Sequence, residues 1–294
     1  MRGMIEQLYD AAPYIGKFQD SIFVIKIGGE ILLSREQCSS LARQLHVLWQ
    51  LGVHPVVVHG AGPQLDEELR SRGHTPRKVE GRRVTDREAL EVAKQVFRGV
   101  ANLGLVGDLA RAGLPAVGLS GVDGGTLLVR RRPPVEVEGR TVDFGWVGDP
   151  VRVEPRLLRT LLSARFVPAV CSLGVDAAGE VLNVNADTVA CELAVALAAA
   201  KLLFVTDRPG VLHDPADDSS IYSVLDLAQV EELVAAGTVH GGMAPKLAAA
   251  TSAIRRGVER VHVIGAAEPD ALLTEVFTNQ GCGTMILEQK REAP

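Results

Sequence analysis

Ile22–Glu30 reads IFVIKIGGE: an apolar run that delivers one lysine, Lys26, directly onto the glycine pair Gly28–Gly29. Short continuous runs of Val, Ile and Phe closed by glycine are what a strand of a helix-covered parallel sheet looks like. His59-Gly60-Ala61-Gly62 repeats the strand-into-glycine design after PVVV, and Lys246 follows a further pair, Gly241–Gly242. Glycines at strand ends let backbone N–H groups converge on an anion, and a lysine beside them supplies a mobile positive charge. Two such turns and a second lysine describe a site that holds phosphate from more than one side. The residues themselves point to phosphoryl transfer.

Working outward, apolar runs near 22–27, 55–58, 115–119, 166–171, 201–205 and 260–264 read as strands. Helical periodicity is found near 35–51, 63–72, 86–112, 155–163, 186–199, 226–236, 243–256 and 268–276. Alternation of this kind predicts an α/β fold: a three-layer αβα sandwich with a mainly parallel central sheet and right-handed crossovers. With aromatics at only 4% of 294 residues, the core must be built from Val, Leu, Ile and Ala. Residues 126–149 break the pattern and read as a β-hairpin excursion turning at Gly139. Ile5, Leu8, Tyr9 and Ala12 form an apolar stripe on an N-terminal helix too short to stand alone, which must pack on its own body or on another subunit. The expected division is a helical extension over 1–20 for oligomerisation, a substrate lobe over 21–190 and a nucleotide lobe over 191–294.

A net charge of −5 argues against nucleic acid as the main partner. Arg130-Arg131-Arg132, followed by Pro133-Pro134 and two glutamates, reads as a solvated hairpin tip. Four widely spaced cysteines without C-x-x-C suit a reduced protein and no zinc site. No signal peptide is visible, and the longest apolar stretch, Val189–Ala200, is too short to span a bilayer and contains Glu192. A soluble cytoplasmic protein is expected.

P-loop, dinucleotide and nucleophile-elbow signatures are absent. Instead K-x-G-G (26–29), H-G-A-G-P-Q (59–64), R-V-T (83–85), N-V-N-A-D (183–187), T-D-R-P-G-V (206–211) and G-G-M-A-P-K (241–246) occur in order. Together they resemble the amino-acid kinase family, and within it the branch that phosphorylates N-acetyl-L-glutamate, over roughly residues 20–287. The resemblance implies ATP with Mg²⁺ as phosphoryl donor, a carboxylate as acceptor and a place in arginine biosynthesis. It also implies that Lys26 holds the γ-phosphate from the acceptor side and Lys246 from the ADP side, with Asp187 orienting both. The competing reading of Asp187 is the N-cap of the helix beginning at Ala186.

By the same resemblance Gly60, Ala61, Gly62, Arg83 and Asn183 hold the acceptor, Arg83 pairing with one of its carboxylates and Asn183 bonding near its α-carboxylate. Exposed Arg82 is the alternative to Arg83. Gly28, Gly29, Thr206, Asp207, Gly210, Gly242 and Met243 fall on the nucleotide side, with no protein residue assigned to the metal. Ala61 replaces the family's usual glycine, a strain if that position needs positive φ. His59 reads as a satisfied structural histidine. The N-terminal helix resembles an extension that interlaces dimers into hexamers, and 277–286 resembles a segment that binds arginine as effector, although Gln280 stands where those relatives carry glutamate. H-G-A-G-P-Q and residues 172–187 are also similar to the kinase domain of bifunctional acetylglutamate synthase/kinase. Two further readings stay open: a non-catalytic kinase-like module that binds arginine or an acetyltransferase, and a kinase for another N-acylated amino acid such as an aminoadipate derivative.

Overall fold

The computed structural model describes residues 2–289 apart from 80, 138, 240, 279 and 280, so Gln280 lies outside the described residues. The chain begins α1 (Arg2–Phe18), β1 (Ile22–Ile27), α2 (Arg35–Gln50), β2 (His54–His59) and α3 (Gly62–Ser71). A small hairpin follows, β3 (Arg77–Val79) and β4 (Arg82–Val84), then α4 (Arg87–Lys94) and α5 (Asn102–Arg111). The middle contains β5 (Ala116–Ser120), β6 (Leu127–Arg131), β7 (Val135–Val137), β8 (Arg140–Val142), β9 (Gly148–Val153) and α6 (Arg156–Ser163). Next come β10 (Val167–Cys171), β11 (Leu173–Val175), β12 (Val181–Asn183) and α7 (Ala186–Leu197). The chain continues through β13 (Lys201–Thr206), β14 (Val224–Asp226), α8 (Leu227–Ala235), α9 (Met243–Arg255), β15 (Arg260–Gly265), α10 (Ala271–Phe277) and β16 (Thr284–Leu287).

All six expected strands join one sheet, ordered β14-β16-β15-β13-β1-β2-β10-β5, and they pair with each other only in parallel. β16 runs antiparallel to β15, so the sheet is mainly rather than wholly parallel. β14 and β16 escape sequence reading because they are short and half-buried, with apolar runs of only two and three residues. On β1, Val24 faces a layer that includes Leu193 and Ala194 of α7 and Leu247 and Ala250 of α9. Phe23 and Ile25 face Leu45 and Leu48 of α2, Leu109 of α5 and Leu272 of α10. This two-residue alternation makes both faces apolar and gives the αβα layering.

The long helix expected over 86–112 is instead α4 and α5 joined by a π-helical segment, Gln95–Ala101. Within 126–149, β6 pairs with β9 and β7 with β8, and Gly139 turns the tip at φ +73°. Arg130–Arg132 are not that tip. Arg132 donates to Asp149 Oδ1 from Nε and Nη2 at 2.8 and 2.7 Å, and its guanidinium packs on Phe144. The stripe of α1 is also shifted from expectation. Ala11, Tyr14, Ile15 and Phe18 pack on the core, while Ala12 is exposed and Tyr9 is 76% exposed. The Ile5 and Leu8 side chains lie outside the described residues.

The register of the sheet sets the site. Lys26 pairs with Val58 and Ile27 with His59, so the glycine turns after β1 and β2 must lie side by side. A Cβ on Gly29 would meet Pro63 Cδ at 2.9 Å and Gly62 N at 3.1 Å, a close approach that requires glycine there.

Candidate active site

Three charged side chains from three elements meet above the carboxyl end of the sheet. Lys26 is the fifth residue of β1 and Lys246 lies in the first turn of α9. Asn185 caps α7, its Oδ1 accepting from the N–H groups of Asp187 at 2.8 Å and Thr188 at 3.1 Å. Asp187 is therefore not the cap, and its carboxylate is free for the lysines. Lys26 Nζ lies 2.9 Å from Asp187 Oδ1, and Lys246 Nζ lies 3.3 Å from both carboxylate oxygens. Asp187 and Lys246 are each 6% exposed.

Burial pushes the Asp187 carboxyl up, but the Lys26 and Lys246 ammoniums outweigh it and hold it below the usual carboxylate range. Lys246 is pushed down, by burial first and Lys26 second, with Asp187 only partly restoring it. The two directions agree physically: two ammoniums share one carboxylate, leaving a buried excess of positive charge. Such an excess is costly unless an anion completes it.

Two cavities, of about 440 and 550 Å³, meet at this cluster, and Lys26, Glu30 and Asp187 line both. The first is lined by Gly60, Ala61, Gly62, Arg83 and Asn183, and the second by Gly28, Thr206, Asp207, Gly210, Gly242 and Met243. Lys246 belongs to the second alone. Gly29 departs from its assignment: it lines the first cavity, because it packs against the turn after β2.

Arg83 is held by Asp66 of α3 through Nη1, and its Nη2 donates to Gly62 O at 3.1 Å. Lys78 Nζ lies 2.8 Å from the other Asp66 oxygen. Burial raises the Asp66 carboxyl, yet the hydrogen bonds from Arg83 and Lys78 bring it below its ordinary value. Asn183 Nδ2 donates to Thr85 Oγ1 at 3.0 Å, joining two of the sequence motifs. Exposed Arg82 also reaches the first cavity. Ala61 has φ −153°, so its methyl carries no left-handed strain. His59 is fully buried, and burial pushes its imidazole down to about 4, ruling it out as a proton carrier near neutrality.

Glu30 and Asp66 also line or support the cavities and went unread in the sequence, and Arg132, read there as part of a solvated tip, lines the first cavity. Glu30 had an available signal, since it directly follows the glycine pair. Asp66 had none beyond lying one turn into the helix after H-G-A-G-P-Q.

Among the described residues no helix is long and apolar enough to cross a membrane. The model of the amino acid kinase family matches residues 21–265. A curated acetylglutamate kinase of Myxococcus xanthus is 43% identical over 98% of this chain and 95% of its own. That of Methanothrix thermoacetophila is 42% identical over 95% and 96%. Among solved structures, N-acetylglutamate synthase of Neisseria gonorrhoeae with coenzyme A and N-acetyl-glutamate superposes with a TM-score of 0.84 at 28% identity. This chain is covered to 98% and spans 64% of that longer synthase chain.

Proposed function

This chain belongs to the amino acid kinase family, and from that membership we propose that it transfers the γ-phosphoryl group of ATP to the side-chain carboxylate of N-acetyl-L-glutamate, a step of arginine biosynthesis. The observation that carries the reading is the Lys26–Asp187–Lys246 cluster standing where two cavities join. A carboxylate oxygen of the acceptor attacks the γ-phosphorus, the bond to the β–γ bridging oxygen breaks, and ADP and an acyl phosphate result. The nucleophile is ionised at neutral pH, with an ordinary pKa of about 4.3, so no general base is needed. The obstacle is the meeting of two anions, which calls for positioning and positive charge.

Lys26, on the wall shared by both cavities, neutralises the acceptor side of the transferring group. Lys246, confined to the second cavity, neutralises the side that becomes ADP. Asp187 keeps the ammoniums apart and aimed. Among the described residues no cluster of three or more His, Cys, Asp or Glu side chains could cage a metal ion. A Mg²⁺ arriving with ATP suits such a site, because it keeps its waters and binds chiefly through phosphate oxygens, with Asp207 and Glu30 the carboxylates of the nucleotide cavity besides Asp187, which the two lysines hold. When bound it neutralises charge on the β- and γ-phosphates. The division into an acceptor lobe over 21–190 and a nucleotide lobe over 191–294 is followed by the linings only in the main: Lys26, Gly28, Glu30 and Asp187 reach the nucleotide cavity, and Cys191, Glu192 and the α9 residues Ala249 and Ser252 line the acceptor cavity.

The deciding assay is acyl-hydroxamate formation from ATP with N-acetylglutamate, aspartate and N-acetylaminoadipate in parallel. Preference for N-acetylglutamate is expected; no hydroxamate from any of them defeats the kinase reading and favours a non-catalytic module. Within this reading Arg83→Lys loses the planar two-pronged donor and should raise KM for the acceptor about 10- to 100-fold, leaving kcat and the KM for ATP little changed. Steady-state kinetics with each substrate varied checks it, and an unaltered acceptor KM takes Arg83 out of the acceptor site. For assembly, we propose that α1 meets a second copy of the chain through its exposed face, where Tyr9 stands clear of the body. Tyr9→Glu should lower the particle mass in light scattering, and an unchanged mass discards the role of that face.

A further inference from the structure

A glycine turn that cradles an anion has carbonyl oxygens as well as N–H groups, and a carbonyl turned toward the anion would repel it. Around this site three such carbonyls are captured. Gly29 O accepts from Gln64 Nε2 at 2.8 Å, Gly60 O lies 3.1 Å from His59 Nδ1, and Gly62 O accepts from Arg83 Nη2. Among the described residues, no protein group accepts from the N–H groups of Gly29, Gly60, Ala61 or Gly62. Carbonyls are tied back while donors stay available.

The capture of Gly60 reaches deep into the fold. Asn102 Nδ2 lies 2.8 Å from His59 Nε2 and donates to Ala169 O at 2.9 Å, while Asn102 Oδ1 accepts from Arg98 Nη1 at 3.1 Å. An amide nitrogen only donates, so His59 Nε2 accepts and the imidazole proton sits on Nδ1, facing Gly60 O. Asn102 opens α5 immediately after the π-helical segment, which shifts the helical phase and brings this polar side chain fully inside. Gln64 has a different peculiarity: its Oε1 is buried without a hydrogen-bond partner among the described residues. A buried orphan oxygen is unfavourable for stability, and an apolar side chain of similar size would avoid it. What the amide retains is the bond from Nε2 to Gly29.

Building on the phosphoryl-transfer reading, we infer that Gln64 and His59, the latter fixed by Asn102, are positioning residues: by holding the carbonyls of Gly29 and Gly60 they keep the N–H groups of both turns presented to the transferring group. The test compares Gln64→Leu, His59→Gln and His59→Asn with the parent enzyme, measuring kcat, both KM values and the thermal midpoint. Gln64→Leu should lower kcat about 10- to 100-fold, the scale of a small misplacement, with KM for ATP within about twofold. Its thermal midpoint should be unchanged or higher, since the orphan oxygen is gone. His59→Asn, which keeps a donor near the Nδ1 position, should recover at least about fivefold of the kcat lost in His59→Gln, which reaches only toward Asn102. The inference is overturned by Gln64→Leu turning over like the parent, by a kcat loss that merely follows a lower thermal midpoint, or by His59→Asn being no better than His59→Gln. A parent enzyme that forms no acyl phosphate is a separate failure, that of the kinase reading.

Discussion

Lys246→Ala is expected to cut ADP formation by about 10²- to 10³-fold, the scale for losing one electrostatic donor to a developing negative charge. Lys246 has few other duties. It lines only the nucleotide cavity, and its contacts are the Asp187 carboxylate and, at 5.3 Å from its centroid, the Phe204 ring. Its removal leaves Asp187 paired with Lys26 at 2.9 Å, so no buried carboxylate is stranded and the fold should survive. Removing a buried ammonium that burial already pushes down could even ease the folded state. The variant should therefore show a near-parental thermal midpoint and almost no turnover, in a coupled ADP assay at saturating substrates. Turnover close to the parent's would take Lys246 out of the chemistry.

The elements that were legible are those whose chemistry is local. β1, β2 and β13 are buried on both faces, so each is a largely apolar run, and Lys26 stands out as a charge with apolar residues on both sides of it. Glycine turns announce themselves because close backbone approach at Gly29 excludes every side chain. What stayed hidden depends on distant partners. The π-helical segment keeps an ordinary helical pattern on both sides, so nothing short of the fold reveals that Asn102 turns inward to His59. Asp66 and Gln64 look like solvent-facing residues of an amphipathic helix until Arg83 and Gly29, from other parts of the chain, arrive to meet them. Arg132 misleads for the same reason, as its charge is matched only after the chain returns with Asp149. Strands β14, at the sheet edge, and β16, its neighbour, alternate in burial over three and four residues, too briefly to show a period.

Asp187→Asn should be the most destabilising of the site variants. The amide keeps the shape but leaves two ammonium groups, Lys26 with a side chain 12% exposed and Lys246 with one 8% exposed, facing each other without their paired carboxylate, Glu30 being the negative charge still felt by Lys246. Removing one partner of a buried ion pair costs about 3–5 kcal/mol, which for a chain of this size is a thermal midpoint lower by on the order of 10 °C. The pH dependence gives the cause away. In the parent the Asp187 carboxyl sits below its unfolded value of about 3.9, so its contribution is complete above that pH and is lost as pH falls through the lower folded value. The variant lacks that acid-side loss. On the alkaline side Lys246, already lowered by burial and by Lys26, is lowered further without the carboxylate. Between its folded and unfolded values the unfolded chain binds more protons, so stability rises with pH, and the deficit of the variant should shrink toward about pH 10. Added ADP or inorganic phosphate should raise the midpoint more in the variant than in the parent, because the anion takes the place of the missing carboxylate. Equal midpoints at pH 7 would mean that water, not a shared anion, solvates these ammonium groups, and the positive wall between the cavities could not drive the transfer.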